Sequence, residues 1–220
     1  MSIAEAEEEA NNPAKRSVRS VILMSSILAA SSTGRARSLN RSLREPMFLF
    51  FENMKHGNSL ISVVHPIDPV FDEDSKILIL GSFPSVKSRE VNFFYGHKQN
   101  RFWKLMEKIY DVEPLESIEE KKNFLHEKHI ALWDVIHSCK IEGSSDASIS
   151  DVVPNDLNVI LNCSKAERIY VNGKTAEKMY VRYIKDQIGR DCIVLPSTSP
   201  ANAAYSFEKL YEVWKQIKEV

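Results

Sequence analysis

From about His65 onward, short apolar runs alternate with stretches in which apolar residues return at helical spacing. Lys76–Leu80 is an unbroken Ile/Leu run closed by Gly81, the pattern of a strand buried on both faces. Ile130–Asp134, Arg168–Val171 and Cys192–Leu195 repeat it, and the last two end at Asn172-Gly173 and at Pro196. Between these runs, Phe102, Leu105, Met106 and Ile109 place a helix over Asn100–Tyr110. Ser117-Ile-Glu-Glu120 matches a capping box that opens the next helix. Pro154–Leu161 reads as a helix with proline in its first turn, and Lys174–Ile184 as another. A final helix spans Ser206–Lys218, with Phe207, Leu210, Val213 and Ile217 along one stripe.

Strands that alternate with helices predict an α/β fold, a mostly parallel sheet covered on both faces. Ligands of such sheets sit at the carboxyl ends of the strands. The loops that begin at Gly81, Asp134, Asn172 and Pro196 are therefore expected to share one rim.

The first 60 residues differ from the rest. An acidic start at Glu7, Glu8 and Glu9 precedes a Ser/Arg-rich stretch around the apolar patch Val21–Ala30. The patch has the flanks of a short signal core, but the acidic opening contradicts both a secretory signal and a transit peptide. Residues 1–60 are read as a disordered extension, or as translated upstream sequence with the true start nearer Met54, and residues 61–220 as the working domain. No run of about 18 apolar residues predicts a membrane span.

With 43% hydrophobic residues, 220 residues suffice for one sizeable core. The three cysteines, Cys139, Cys163 and Cys192, are sparse and odd in number. They suit a reducing compartment such as the cytoplasm and argue against a disulfide scaffold, a zinc site and a four-cysteine cluster. Net charge is +2 over residues 1–64 and −3 over residues 65–220, so nucleic-acid binding has to rest on local charge. The stretch from Ser85 to Ile109 qualifies, with Lys87, Arg89, Lys98, Arg101, Lys104 and Lys108 against Glu90 and Glu107. A solvated helix face explains the same charges.

Four clusters fall on the expected rim. Gly81-Ser-Phe-Pro-Ser85 follows the first strand, where glycine lets backbone approach a ligand; a plain turn fits as well. Phe93–Trp103 places aromatics where a base could stack, and Asn100 stands at a helix entry, which suits an N-cap equally. Asn172 offers donors and an acceptor at a strand end, although Asn-Gly also makes a turn. Pro196–Ala203 is a rigid loop of small hydroxyl and amide residues suited to phosphate. His97 and Asp134 are secondary candidates, and Phe102, Trp103 and Trp133 are read as core.

In this order and spacing, Gly81–Ser85, Phe94-Tyr-Gly-His-x-x-Asn-x-Phe-Trp103 and Pro196-Ser-Thr-Ser-Pro-Ala-Asn-Ala203 resemble the motifs of the hypoxanthine-DNA glycosylase branch of the uracil-DNA glycosylase superfamily. The resemblance runs from about His65 to the C-terminus. It implies a three-layer α/β/α sandwich with a four-stranded, mainly parallel sheet, and hydrolysis of the N-glycosidic bond of a deaminated base in DNA. Many relatives carry Asp or Asn in the first motif, where this chain has Ser82 and Ser85. In the hypoxanthine branch the water-positioning role passes to the residue that is Asn100 here.

The resemblance thus implies Asn100 as the catalytic group. Gly81, Ser82, Phe83, Phe94, Tyr95 and Asn172 would hold the base. Ser85, Lys174, Ser197, Thr198, Ser199, Pro200 and Asn202 would contact DNA. No metal or other cofactor is required, the partner is DNA carrying deaminated bases, and a monomer suffices. Two other readings stay open: a uracil- or mismatch-specific glycosylase of the same superfamily, and a non-catalytic module that binds nucleic acid. A dinucleotide enzyme is disfavoured, since no G-x-G-x-x-G follows the first strand.

Overall fold

Successive side chains of a strand point to opposite faces, so an all-apolar strand has to be covered twice. The computed structural model describes residues 61–143 and 145–219 and satisfies that demand. Among them the strands are β1 (Ile61–Val64), β2 (Ile77–Gly81), β3 (Ile130–Asp134), β4 (Ile136–Ile141), β5 (Ser150–Pro154), β6 (Arg168–Asn172) and β7 (Ile193–Leu195). The helices are α1 (Val86–Val91), α2 (Phe102–Tyr110), α3 (Ile118–Glu127), α4 (Asn158–Leu161), α5 (Lys174–Tyr183), α6 (Lys185–Ile188) and α7 (Phe207–Trp214).

β2, β3, β6 and β7 form a parallel sheet in the order β3-β2-β6-β7. Ile77 and Ile79 of β2, Ile130 and Leu132 of β3, and Tyr170 of β6 face one core, closed by α2, α3 and α7. Leu78 and Leu80, Ala131, and Ile169 and Val171 face the other, closed by α4 and α5. The expected three-layer α/β/α architecture is therefore the one observed. Because the four strands run the same way, their carboxyl ends lie on one rim, as the alternation of elements predicts. Ser117 and Glu120 form the capping box of α3 in both directions.

The structure departs from the sequence reading in one layer. β1, β4 and β5 form a second, antiparallel sheet in the order β1-β4-β5. It packs Ile136, Cys139 and Ile141 against the second core. Its signal in the sequence is faint: β4 exposes His137 and Lys140, β5 buries no residue fully, and the β4–β5 register shifts twice. The helix expected over Pro154–Leu161 shrinks to Asn158–Leu161. Pro154 instead ends β5, an edge strand that tolerates its missing N–H. α1 is a further short helix that the spacing of apolar positions does not predict.

No helix among the described residues is long and apolar enough to cross a membrane. The expected extension at residues 1–60 lies outside the described residues.

Trp214 joins the last helix to the sheet rim. Its side chain is fully buried, crosses Phe102 edge-on with ring centroids 5.8 Å apart, and donates from Nε1 to Pro196 O at 2.9 Å. Trp214→Ala is expected to cost about 3–5 kcal/mol, read as a lower urea midpoint at unchanged slope.

Candidate active site

The chain goes from β2 to β3 on one side of the sheet and returns to β6 and β7 on the other, so the strand order reverses between β2 and β6. Such a reversal opens a crevice at the carboxyl ends of the two strands. One residue beyond their last pair, Leu80 with Val171, lie Gly81 and Asn172.

Asn172 is engaged there by the loop that follows β7. Its Nδ2 donates to Thr198 Oγ1 at 2.9 Å, and its Oδ1 accepts from Thr198 N at 2.9 Å. Thr198 is wholly buried, and its carbonyl accepts the Arg101 N–H at 3.1 Å. The loop also presses on Gly173, which has φ +96°; a Cβ there would meet Ser197 Cβ at 2.7 Å. Glycine is thus required twice over, by conformation and by contact. Ser197 Oγ accepts from Ser199 N, Ser199 Oγ accepts from Ala201 N, and Asn202 Nδ2 donates to Ser197 O. Pro200 stands exposed at the tip.

Asn100 sits next to this assembly. Its Oδ1 accepts from Phe102 N at 3.0 Å, a side-chain turn one residue ahead of the N-cap Arg101 that holds the amide at the rim. The oxygen retains a second lone pair for water. A short chain of hydrogen bonds, from Arg101 through Thr198, ties the segment that carries Asn100 to Asn172.

The floor of the crevice is built on Gly81. A Cβ at this position would lie 2.1 Å from Asp134 Oδ1 and 3.4 Å from the Tyr95 hydroxyl. Asp134 is buried, and its Oδ2 pairs with His65 Nε2 at 2.8 Å. His65 Nδ1 accepts from Ile67 N, which places the imidazole proton on Nε2, facing the carboxylate. Tyr95 has φ +53° and stacks on Phe102 with centroids 4.0 Å apart. Its hydroxyl is buried and makes no hydrogen bond of good geometry among the described residues, with the Asn172 amide close by. Burial pushes its pKa far above the usual phenol range; the Asp134 charge adds to this and Asn172 opposes it.

The other residues expected to hold base or DNA are placed as follows. Phe94 is 2% exposed, packed against Phe93 and His65, and presents no open ring face. Phe83 is buried edge-on to His65, with the Arg89 guanidinium over its ring. Ser85 caps α1 by accepting from Ser88 N. Lys174 is solvent-exposed and pairs with Glu177. Ser82 is half-buried, and its hydroxyl lies 3.4 Å from Asp146. His97 shapes its own loop by accepting from Gln99 N.

The basic stretch is largely committed to protein contacts. Lys87 pairs with Glu90, Arg89 donates to Pro84 O, and Lys108 lies over Tyr211. Arg101 is bound to loop carbonyls, so it is not an exposed phosphate contact. Lys98 and Lys104 remain as exposed cations with no ion pair among the described residues.

Asp146 and the buried His65 escaped the sequence reading. Asp146 is reached only through the unrecognised antiparallel sheet. It turns its carboxyl toward Ser82 and Thr175 although the residue as a whole is exposed. Burial raises its pKa above the usual carboxylate value; hydrogen bonds from Thr175 and Ser82 oppose the rise, and Asp134 adds to it. A shallow hollow lined by Ala204, Tyr205, Glu208, Lys209, Glu212 and Val213 lies along α7. Its two carboxylates outnumber its one lysine, and it lies away from the β2/β6 reversal, which disfavours it as the DNA site.

Fold and site together define a parallel α/β domain with its ligand crevice at the β2/β6 reversal, roofed by a rigid Ser/Pro loop. The chain belongs to the uracil DNA glycosylase superfamily, whose sequence profile matches residues 69–218. It is 34% identical over 154 residues to a Methanosarcina acetivorans protein named hypoxanthine DNA glycosylase, covering 67% of this chain and 93% of that one. A Methanosarcina barkeri protein of the same name is 34% identical over 137 residues, 61% of this chain and 85% of the relative. The solution NMR structure of a Methanosarcina acetivorans protein, described as a candidate uracil DNA glycosylase, superposes with a TM-score of 0.59 at 31% identity. That match covers 71% of this chain and 99% of the other.

Two outcomes follow from the floor. Gly81→Ala is expected to displace Asp134, lower stability by about 1–3 kcal/mol and disrupt the crevice. Asp134→Ala in the same chain removes the steric conflict, so the double variant should lose less than the two single losses added, as a thermal-melt cycle would show. For Asp146, the folded state holds the carboxyl proton more tightly than the unfolded chain. The stability this contributes is present below the unfolded pKa and is lost as pH rises through the raised folded value. Asp146→Asn should therefore gain on the parent in urea midpoint between pH 4 and pH 7.

Proposed function

We propose that this chain is a monofunctional DNA glycosylase that hydrolyses the N-glycosidic bond of deoxyinosine, releasing hypoxanthine for base excision repair. The observation that carries the reading is the single hydrogen-bonded unit in which Thr198 joins the Ser/Pro loop to Asn172 and to the segment bearing Asn100. The hypoxanthine assignment draws on the name of the two curated relatives.

A base inside a duplex is out of reach, so the nucleotide has to be turned out at a cost of a few kcal/mol. In this reading the Ser197–Asn202 loop, with the exposed Pro200 at its tip, presses on the duplex and holds the backbone. The free N–H and free lone pair that an amide keeps after two bonds let Asn172 read a base edge. Tyr95 contributes its hydroxyl at the floor more than a stacking face, because Phe102 already covers one side of its ring.

An amide does not titrate near neutral pH, so Asn100 orients water without acting as a base. Bond breaking then runs ahead of attack, through an oxocarbenium-like sugar. Main-chain N–H groups of the Gly81–Ser85 loop are the nearest means of stabilising charge on the departing base. Lys174, paired with Glu177 and pointing to solvent, is not set up as a Schiff-base nucleophile, which favours simple hydrolysis.

Single-turnover cleavage of matched duplexes carrying deoxyinosine, deoxyuridine or no lesion tests the reading. Selective release at deoxyinosine is expected. Selective release at deoxyuridine would keep the chemistry and replace the base. Asn100→Ala should lower the rate by about a hundredfold or more while DNA binding persists and stability falls only by about 0.5–2 kcal/mol, the loss of one bond at the helix entry; an unchanged rate would remove Asn100 from the mechanism.

A further inference from the structure

Arg101 has no part in the chemistry above, yet it makes the densest polar contact in the site. Its Nε donates to Thr198 O at 3.3 Å. Its Nη2 donates to Ser199 O at 2.6 Å, Asn202 O at 3.1 Å and Ser197 O at 3.5 Å, and its Nη1 donates to Tyr205 O. Five carbonyls of one loop thus converge on one guanidinium, and the Arg101 N–H adds a further bond to Thr198 O. No carboxylate among the described residues pairs with this half-buried cation. Carbonyl dipoles alone compensate its desolvation, so its charge is left uncancelled behind the loop.

We propose that Arg101 is the positioning residue that shapes the 197–205 loop for DNA before DNA arrives. Engagement of the sugar-phosphate backbone by the loop and orientation of Asn100 and Asn172 are then one event. Three features carry this. The planar fork of arginine matches several acceptors at once, which a single ammonium cannot do. Thr198 is shared: its carbonyl goes to Arg101, and its N–H and hydroxyl go to Asn172. Arg101 follows Asn100 directly in sequence, so a loop that shifts on its anchor moves the water-positioning amide with it. A loop ordered in advance also spares the ordering entropy that DNA binding would otherwise cost. The uncancelled charge favours an anion on the outer side of the loop. The inference rests on the glycosylase reading for where DNA lies, and on the structure alone for the loop.

The test uses the full chain with Arg101→Ala and Arg101→Lys. Amide hydrogen exchange across residues 197–206 in the free protein should quicken at least about tenfold in both variants, with the β2 and β6 amides unchanged. On whichever damaged base the parent releases, the saturated single-turnover rate should fall about a hundredfold, while affinity for undamaged duplex falls less than about tenfold. Millimolar guanidinium should restore both loop protection and rate to Arg101→Ala, and methylammonium should not. Parental exchange and rate in Arg101→Lys would overturn the proposal by showing that charge alone suffices. So would a loss of rate in Arg101→Ala without any change in loop exchange. Should Arg101→Ala fail to fold, Arg101→Lys decides the matter alone. Were the parent to release no damaged base, only the functional reading would fall, and loop exchange would still decide the role of Arg101.

Discussion

The site depends on the burial of one threonine. Thr198 has no contact with solvent, and its N–H, hydroxyl and carbonyl are all hydrogen-bonded to groups from other parts of the chain. Buried polar groups left unpaired cost about 1–3 kcal/mol each, so the loop cannot shift without losing several bonds at once. Asn172 comes from the end of β6 and Arg101 from the start of α2. One residue therefore fixes the relation between the reversal point of the sheet, the entry of a helix and the loop that would meet DNA.

Below that junction the constraint is steric. Gly81 has no side chain because the Asp134 carboxylate occupies the place where one would be. His65 in turn holds Asp134 from β1's side of the domain, so the antiparallel strands serve the crevice as well as the core. The Tyr95 hydroxyl, buried beside this pair with Asn172 near it, makes no well-formed hydrogen bond among the described residues. An unpaired buried hydroxyl at a ligand crevice is the kind of exception that binding can resolve.

The parallel sheet was legible in the sequence because its strands are apolar throughout. The run Ile77–Leu80 admits no reading except cover on both faces, and the helices that provide it show their stripes. The rim followed from direction alone. The antiparallel sheet was not legible, because β4 and β5 alternate weakly and carry bulges. Asp146, which that sheet delivers to the crevice, was missed with it. Arg101 was visible but misread: a basic residue beside a motif suggests phosphate, and nothing local in the sequence reveals five carbonyls about a hundred positions away. Asn100 and Asn172 were each ambiguous between cap or turn and function. The structure puts Arg101 at the N-cap, gives Asn100 a turn onto Phe102 N just before it and gives Asn172 to Thr198, while leaving each amide with capacity for a second partner.

Hydrolysis of the glycosidic bond alone would release an intact base and leave the strand whole. Incubating deoxyinosine-containing duplex with the protein, and analysing small molecules and strand length separately, distinguishes this from every other outcome. Stoichiometric free hypoxanthine is expected, with the strand unbroken until alkali opens the abasic site. A strand cut without free base, or one left intact with inosine still in place by folded protein that binds it, would rule glycosidic hydrolysis out.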